Sequence, residues 1–137
     1  MTSSHFTIAY WCVLVAAMLP IICAGIAKYG MMSQPTHLGG YDNNNPRIWL
    51  AKQTDWRARA NAAQANTFES LPFFFAAVLI AHHLQALQTQ LDILAFLFIV
   101  LRMAYVLMYV ADMAKTRSSL WAMALLVNIA ILFLGYR

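Results

Sequence analysis

The chain has 137 residues, of which 62% are hydrophobic and only 10% charged, and its mean hydropathy is +0.62. Soluble domains carry about 25% charged residues, so the balance excludes a soluble domain and implies a single-domain integral membrane protein. The net charge of +4 has no basic stripe interleaved with stacking aromatics, which excludes a nucleic-acid binder.

The first apolar run is expected as a helix over residues 6–28. It lacks a basic start and a clear small-residue cleavage site, so it reads as a retained span rather than a removed signal. Tyr10 and Trp11 fall near its first end, where interfacial aromatics collect. Pro20 removes one backbone donor inside it and favours a kink. Cys12 and Cys23 are separated by about 16 Å along this helix. A disulfide needs Cα atoms within about 7 Å, so the two cannot pair within one chain and are expected buried.

A polar loop follows, with Gly39-Gly40, three asparagines and Pro46 as turn signals. Pro46 suits the first turn of a helix. The second long helix is expected to start at Pro46 or Trp56 and to end at His83. Its first part carries Lys52, Arg57 and Arg59; its second part, SLPFFFAAVLIA, is the spanning portion. His82 and His83 mark the far interface. Adjacent helical residues point about 100° apart, so these histidines are not a metal pair, and no metal site is expected. A short turn leads to a third helix over 91–111, and a loop with Asp112, Lys115 and Arg117 leads to a fourth over 118–136. The fourth reads as an apolar packing and lipid-facing helix.

The expected fold is therefore an all-α bundle of four transmembrane helices. Lys28, Arg47, Lys52, Arg57, Arg59, Lys115 and Arg117 belong to the first and third loops or to the helix ends beside them. Excess Lys and Arg marks the cytoplasmic side, which puts those loops in the cytoplasm and both termini opposite. Four short helices enclose little space, so oligomerisation is expected.

A polar stripe crosses the apolar helices. Arg59, Asn66 and Glu69 lie within about 80° of arc on the second helix. Arg102, Tyr105 and Tyr109 share one face of the third. A charge in hydrocarbon costs roughly 2.5 kcal/mol or more, so Glu69 needs compensation. Glu69 and Arg102 lie about 21 Å and 16 Å from the far surface, which suggests a Glu69–Arg102 ion pair within or between subunits. Arg59 and Arg117 are expected at the cytoplasmic mouth. Together these groups form a cationic cleft suited to a small anionic peptide beside a lipophilic partner. An arginine there favours a thiolate over its thiol.

These residues resemble the MAPEG family, membrane-associated proteins in eicosanoid and glutathione metabolism. The specific part is Asn66-x-x-Glu69-x-x-Pro72-x-Phe74 within RARANAAQANTFESLPFFF. YDNNNPR in the first loop resembles bacterial members, and RMAYVLMYVADMAKTRSSLW resembles the family's third helix and following loop. The resemblance covers nearly the whole chain. It implies a homotrimer in a bacterial inner membrane, with glutathione as co-substrate in clefts near the cytosolic side. It implies transferase or peroxidase chemistry on lipophilic electrophiles or lipid hydroperoxides. By position, Arg117 and Tyr109 are the catalytic candidates, and Lys28, Arg59, Asn66, Glu69, Arg102 and Tyr105 the glutathione-binding ones.

One departure stands out. Glutathione-using members often carry an arginine four residues before the signature asparagine, where this chain has Ala62. Lys28 at best replaces the arginine at the end of the first helix. The alternative expectation is accordingly a non-catalytic lipid-binding or scaffolding member. A small multidrug exporter is disfavoured, because its acid usually lies in the first span, which here has none.

Overall fold

The structure is a computed structural model that describes residues 6–136. All regular structure among those residues is helical. The order is α1 (Ile8–Lys28), a single 3-10 turn (Thr36–Leu38), α2 (Pro46–Ala51), α3 (Asp55–His83), α4 (Gln88–Val110) and α5 (Ala114–Phe133). The expected second helix is two helices, α2 from Pro46 and α3 from Asp55. The fourth starts four residues earlier than its composition suggested, because the polar Lys115–Ser118 stretch is already helical.

Three long helices, α1, α4 and α5, are long and apolar enough to cross a membrane. The fourth, α3, is the longest at 29 residues, but its first half is polar. α3 and α4 each touch all the other long helices. Their shared centre is the stacked pair Phe74 and Phe98, with ring centroids 4.1 Å apart. Most of the buried residues of α1 are small, Ala9, Cys12, Ala16, Cys23 and Ala27, and half of those of α3 are alanines, Ala60, Ala63, Ala77 and Ala81. In a membrane, helix pairing relies on close packing rather than on water exclusion, and small residues permit it. Both cysteines are free and buried. The outward apolar side chains, such as Leu14, Ile93, Phe96 and Leu126, contact lipid.

Polar groups close the helix ends. Asp92 on α4 accepts from the Ala9 backbone N–H at 2.8 Å, so one carboxylate satisfies an orphan donor at the α1 N-terminus. Arg57 donates to the carbonyls of Ala27 (3.2 Å) and Tyr29 (2.7 Å) at the other end of α1. The turns after α3 and α4 are Schellman motifs without glycine. Gln85 and Asp112 take positive φ of 54° and 63°. Ala86 then donates to Ala81, and Met113 to Met108, which is the 6→1 bond of that motif.

The first loop is also ordered. Gly39 has φ of 90°, a left-handed conformation that suits glycine. Gly40 lies so close to the Gln34 carbonyl that no side chain fits there. Trp49 of α2 donates its indole N–H to the Gly39 carbonyl at 3.1 Å and meets Tyr41 edge-on. Asp42 accepts from the Asn45 amide (3.1 Å) and the Asn44 backbone N–H (2.9 Å). These bonds hold its carboxyl below the usual carboxylate range.

Candidate functional site

The polar residues of α3, α4 and α5 form a column with two cavities, one at each end. Arg102 is the lower anchor. It is only 1% exposed, and its Nη2 donates to Asn66 Oδ1 at 3.1 Å and to Thr67 Oγ1 at 3.0 Å. Thr67 in turn donates to the Ala63 carbonyl at 2.7 Å. Arg102 also stacks on Tyr105, 4.2 Å from the ring centroid. Tyr105 meets Tyr109 edge-on at 5.6 Å. Arg117, from the first turn of α5, lies 4.2 Å over the Tyr109 ring. Two cations therefore bracket two tyrosines one helical turn apart.

The upper cavity is an open cleft of about 250 Å³ lined by Asn66, Tyr105, Tyr109, Arg117, Ser118 and Trp121. Arg117 is half-buried, and no carboxylate among the described residues lies within 4.0 Å of it. Its hydrogen-bonding edge is free for an anion, in the fork geometry that suits a carboxylate or a thiolate. The tyrosine hydroxyls, Ser118 and Asn66 supply neutral hydrogen-bonding groups around the same space.

The lower cavity, also about 250 Å³, includes Asn66, Glu69, Arg102, Trp121 and Asn128 in its lining. Asn66 and Trp121 border both cavities, so the two are neighbours.

The expected Glu69–Arg102 ion pair does not form within the chain. Asn66 and Thr67 take the guanidinium instead. The reason is angular: Thr67 and Glu69 are about 160° apart on a helix, and Arg102 lies over the Asn66–Thr67 edge. Glu69 is left exposed at the rim of the lower cavity. Two further candidates lie away from the column. Lys28 is turned onto the Tyr41 ring at 4.4 Å. Arg59 donates from Nε to the Val110 carbonyl at 3.0 Å, capping α4, with Asp112 3.9 Å away. Asn66, Tyr105, Tyr109 and Arg117 do share one cavity, and Asn66, Glu69 and Arg102 share the other.

Sequence reasoning missed Thr67, Ser118, Trp121 and Asn128. Trp121 and Asn128 are seven residues apart, which returns them to one helical face. A lone asparagine inside an apolar membrane-length helix was the available signal, since such groups seek partners across helices.

Three membrane-length helices with a polar column through their packing define a small helical integral membrane protein. The chain belongs to the MAPEG family, whose model matches residues 8–136. No curated protein and no solved structure matches it.

Proposed function

We propose that the protein is a four-span homotrimeric membrane enzyme that binds glutathione in the Tyr109–Arg117 cleft. It uses the thiolate on lipophilic electrophiles or lipid hydroperoxides. The observation that carries this reading is the Arg117 guanidinium. It lies over Tyr109, has no carboxylate partner among the described residues and lines one cleft with Asn66 and Tyr105. A cation beside a thiol lowers its pKa and raises the fraction of the nucleophilic form. Tyr109 contributes a hydroxyl that donates to the sulfur. Asn66, Tyr105 and Ser118 orient the peptide, and Arg102 fixes Asn66 from below. Glutathione supplies the nucleophilic sulfur. A small amphiphile whose reactive end reaches the cleft from the lipid side is the fitting second substrate. The helix ends that carry Arg57 and Arg117 face the cytoplasm of a bacterial inner membrane in this reading, where the thiol is reduced.

A second reading is non-catalytic lipid binding. It draws on Ala62, on Lys28 held against Tyr41 and on Arg59 committed to the end of α4. These leave Arg117 as the cation with a free edge at the cleft. Difference absorbance at about 240 nm during glutathione titration, which reports thiolate, decides between the two. A saturable signal lost in Arg117→Ala supports the enzyme. Its absence at millimolar glutathione, with the oligomer intact, supports the lipid binder.

A further inference from the structure

We propose that Thr67 is a positioning residue that, through Arg102, turns the Asn66 amide so that its N–H₂ meets the ligand, and that the ligand group bound there is a hydrogen-bond acceptor. Which ligand sits there rests on the glutathione reading; the orientation of the amide does not. Arg102 and Thr67 are sealed from solvent, at 1% and 0% exposure. Arg102 Nη2 makes both of the guanidinium's hydrogen bonds among the described residues, to Asn66 Oδ1 at 3.1 Å and to Thr67 Oγ1 at 3.0 Å. A guanidinium only donates. The Asn66 atom facing it is therefore the oxygen, since an N–H₂ there sets two donors against each other. The polarity of Thr67 is fixed as well. Its hydroxyl donates to the Ala63 carbonyl one turn back, at 2.7 Å, which leaves a lone pair for Arg102. A helical threonine divides between two rotamers, and the bond to that carbonyl selects one. The hydrogen bonds thus run one way, from Arg102 through Thr67 to the α3 backbone.

The consequence falls on Asn66. With its oxygen committed to Arg102, the free end of the amide is Nδ2. That atom makes no hydrogen bond among the described residues, and it is not sealed in, unlike Arg102 Nε and Asn128 Oδ1. Asn66 is half-buried and borders both cavities, so what it offers a ligand is a pair of donors. A peptide carbonyl or a carboxylate accepts them, and an ammonium cannot. Removing the Thr67 hydroxyl takes away one of the two hydrogen bonds that hold Arg102. The guanidinium then no longer has a fixed place, and neither does the amide that it orients.

The orientation is read first, without ligand, by nuclear magnetic relaxation on the full chain in detergent with nitrogen-labelled asparagine. The Asn66 side-chain N–H₂ signal is identified by its loss in Asn66→Asp. It is expected to be rigid in the native chain, mobile in Thr67→Val, which keeps the shape and removes the hydroxyl, and rigid again in Thr67→Ser. A mobile Asn66 in the native chain, or one as rigid in Thr67→Val, overturns the proposal. Calorimetric titration with glutathione then reads the ligand. Affinity is expected to fall about fivefold in Thr67→Val, the value of one neutral hydrogen bond, and to recover in Thr67→Ser. Asn66→Asp still pairs with Arg102 but turns an acceptor to the ligand, so it is expected to weaken glutathione about tenfold or more. Equal or tighter binding in that variant overturns the acceptor assignment, and it decides the matter if Thr67→Val does not fold. A lower melting temperature in Thr67→Val with unchanged relaxation and affinity makes Thr67 merely structural and overturns its positioning role. If the native chain binds no glutathione, the glutathione reading and the acceptor assignment fall together, while the ligand-free spectra still decide the orientation.

Discussion

The two ends of the polar column are built from the same residue types and are opposite in character. At the lower end a guanidinium is dry, bonded to Asn66 and Thr67 and stacked on Tyr105. At the upper end another guanidinium stacks on Tyr109 in the same way and at the same 4.2 Å, but it is half-buried and has no partner carboxylate among the described residues. The difference teaches that burial, and not residue type, separates a guanidinium that holds helices together from one available to a ligand. The buried guanidinium holds Asn66 and Thr67 through Nη2, and breaking a buried charged contact is costly, so removing it disturbs the bundle. A half-buried one with no ion-pair partner among the described residues contributes less.

The largest effect tests that contrast directly. Arg102→Leu empties a packed position and strips partners from Asn66, so it is expected to destabilise the chain by about 3 kcal/mol. Thermal unfolding in detergent measures it, with Arg117→Leu as the counterpart expected to unfold close to wild type. Equal losses would erase the distinction between the two ends. Next comes ligand binding. Arg117→Ala is expected to weaken glutathione about tenfold or more, the scale of a charge-assisted hydrogen bond, while its oligomer and melting temperature hold. A third change lies outside the column. Asp92→Ala removes the acceptor for the α1 N-terminus and should cost about 1 kcal/mol, as a lost N-cap does. Unchanged glutathione binding in that variant would show that stability and ligand binding are separable; a parallel loss of binding would show that they are not.

The smallest effect concerns pH. The Asp42 carboxyl is held below its ordinary value, first by the Asn45 amide and then by the Asn44 backbone N–H. Its folded pKa is lowered, so its contribution to the loop is present above the unfolded value of about 3.9. That contribution fades as pH falls through the lower folded value. Limited proteolysis across that range should show the first loop loosening in acid, and Asp42→Asn should flatten the response. Loosening that is identical in both chains would mean another group controls the loop.

Much of this molecule was open to reading from residues alone. The apolar fraction and three long apolar runs required membrane helices, because nothing else of that composition satisfies its backbone in lipid. The Asn66, Glu69 and Pro72 spacing carried the family. The stripe on α4 was visible because Arg102, Tyr105 and Tyr109 repeat at three and four residues. The motif turns after α3 and α4 were not visible, because Gln85 and Asp112 stand where glycine is the usual signal.

Packing decided the rest. Periodicity reports which residues share a face of one helix, whereas a side chain's partner depends on how the neighbouring helix is rotated and how deep it sits. That rotation gave Arg102 to Asn66 and Thr67 rather than to Glu69. It turned Arg59 to the end of α4 and Lys28 to the first loop. It also set Asn128 of the seemingly featureless last helix in the lining of the same cavity as Arg102. Hydrophobicity brought these helices into the membrane, and close contact between small side chains fixed which of their few polar groups meet.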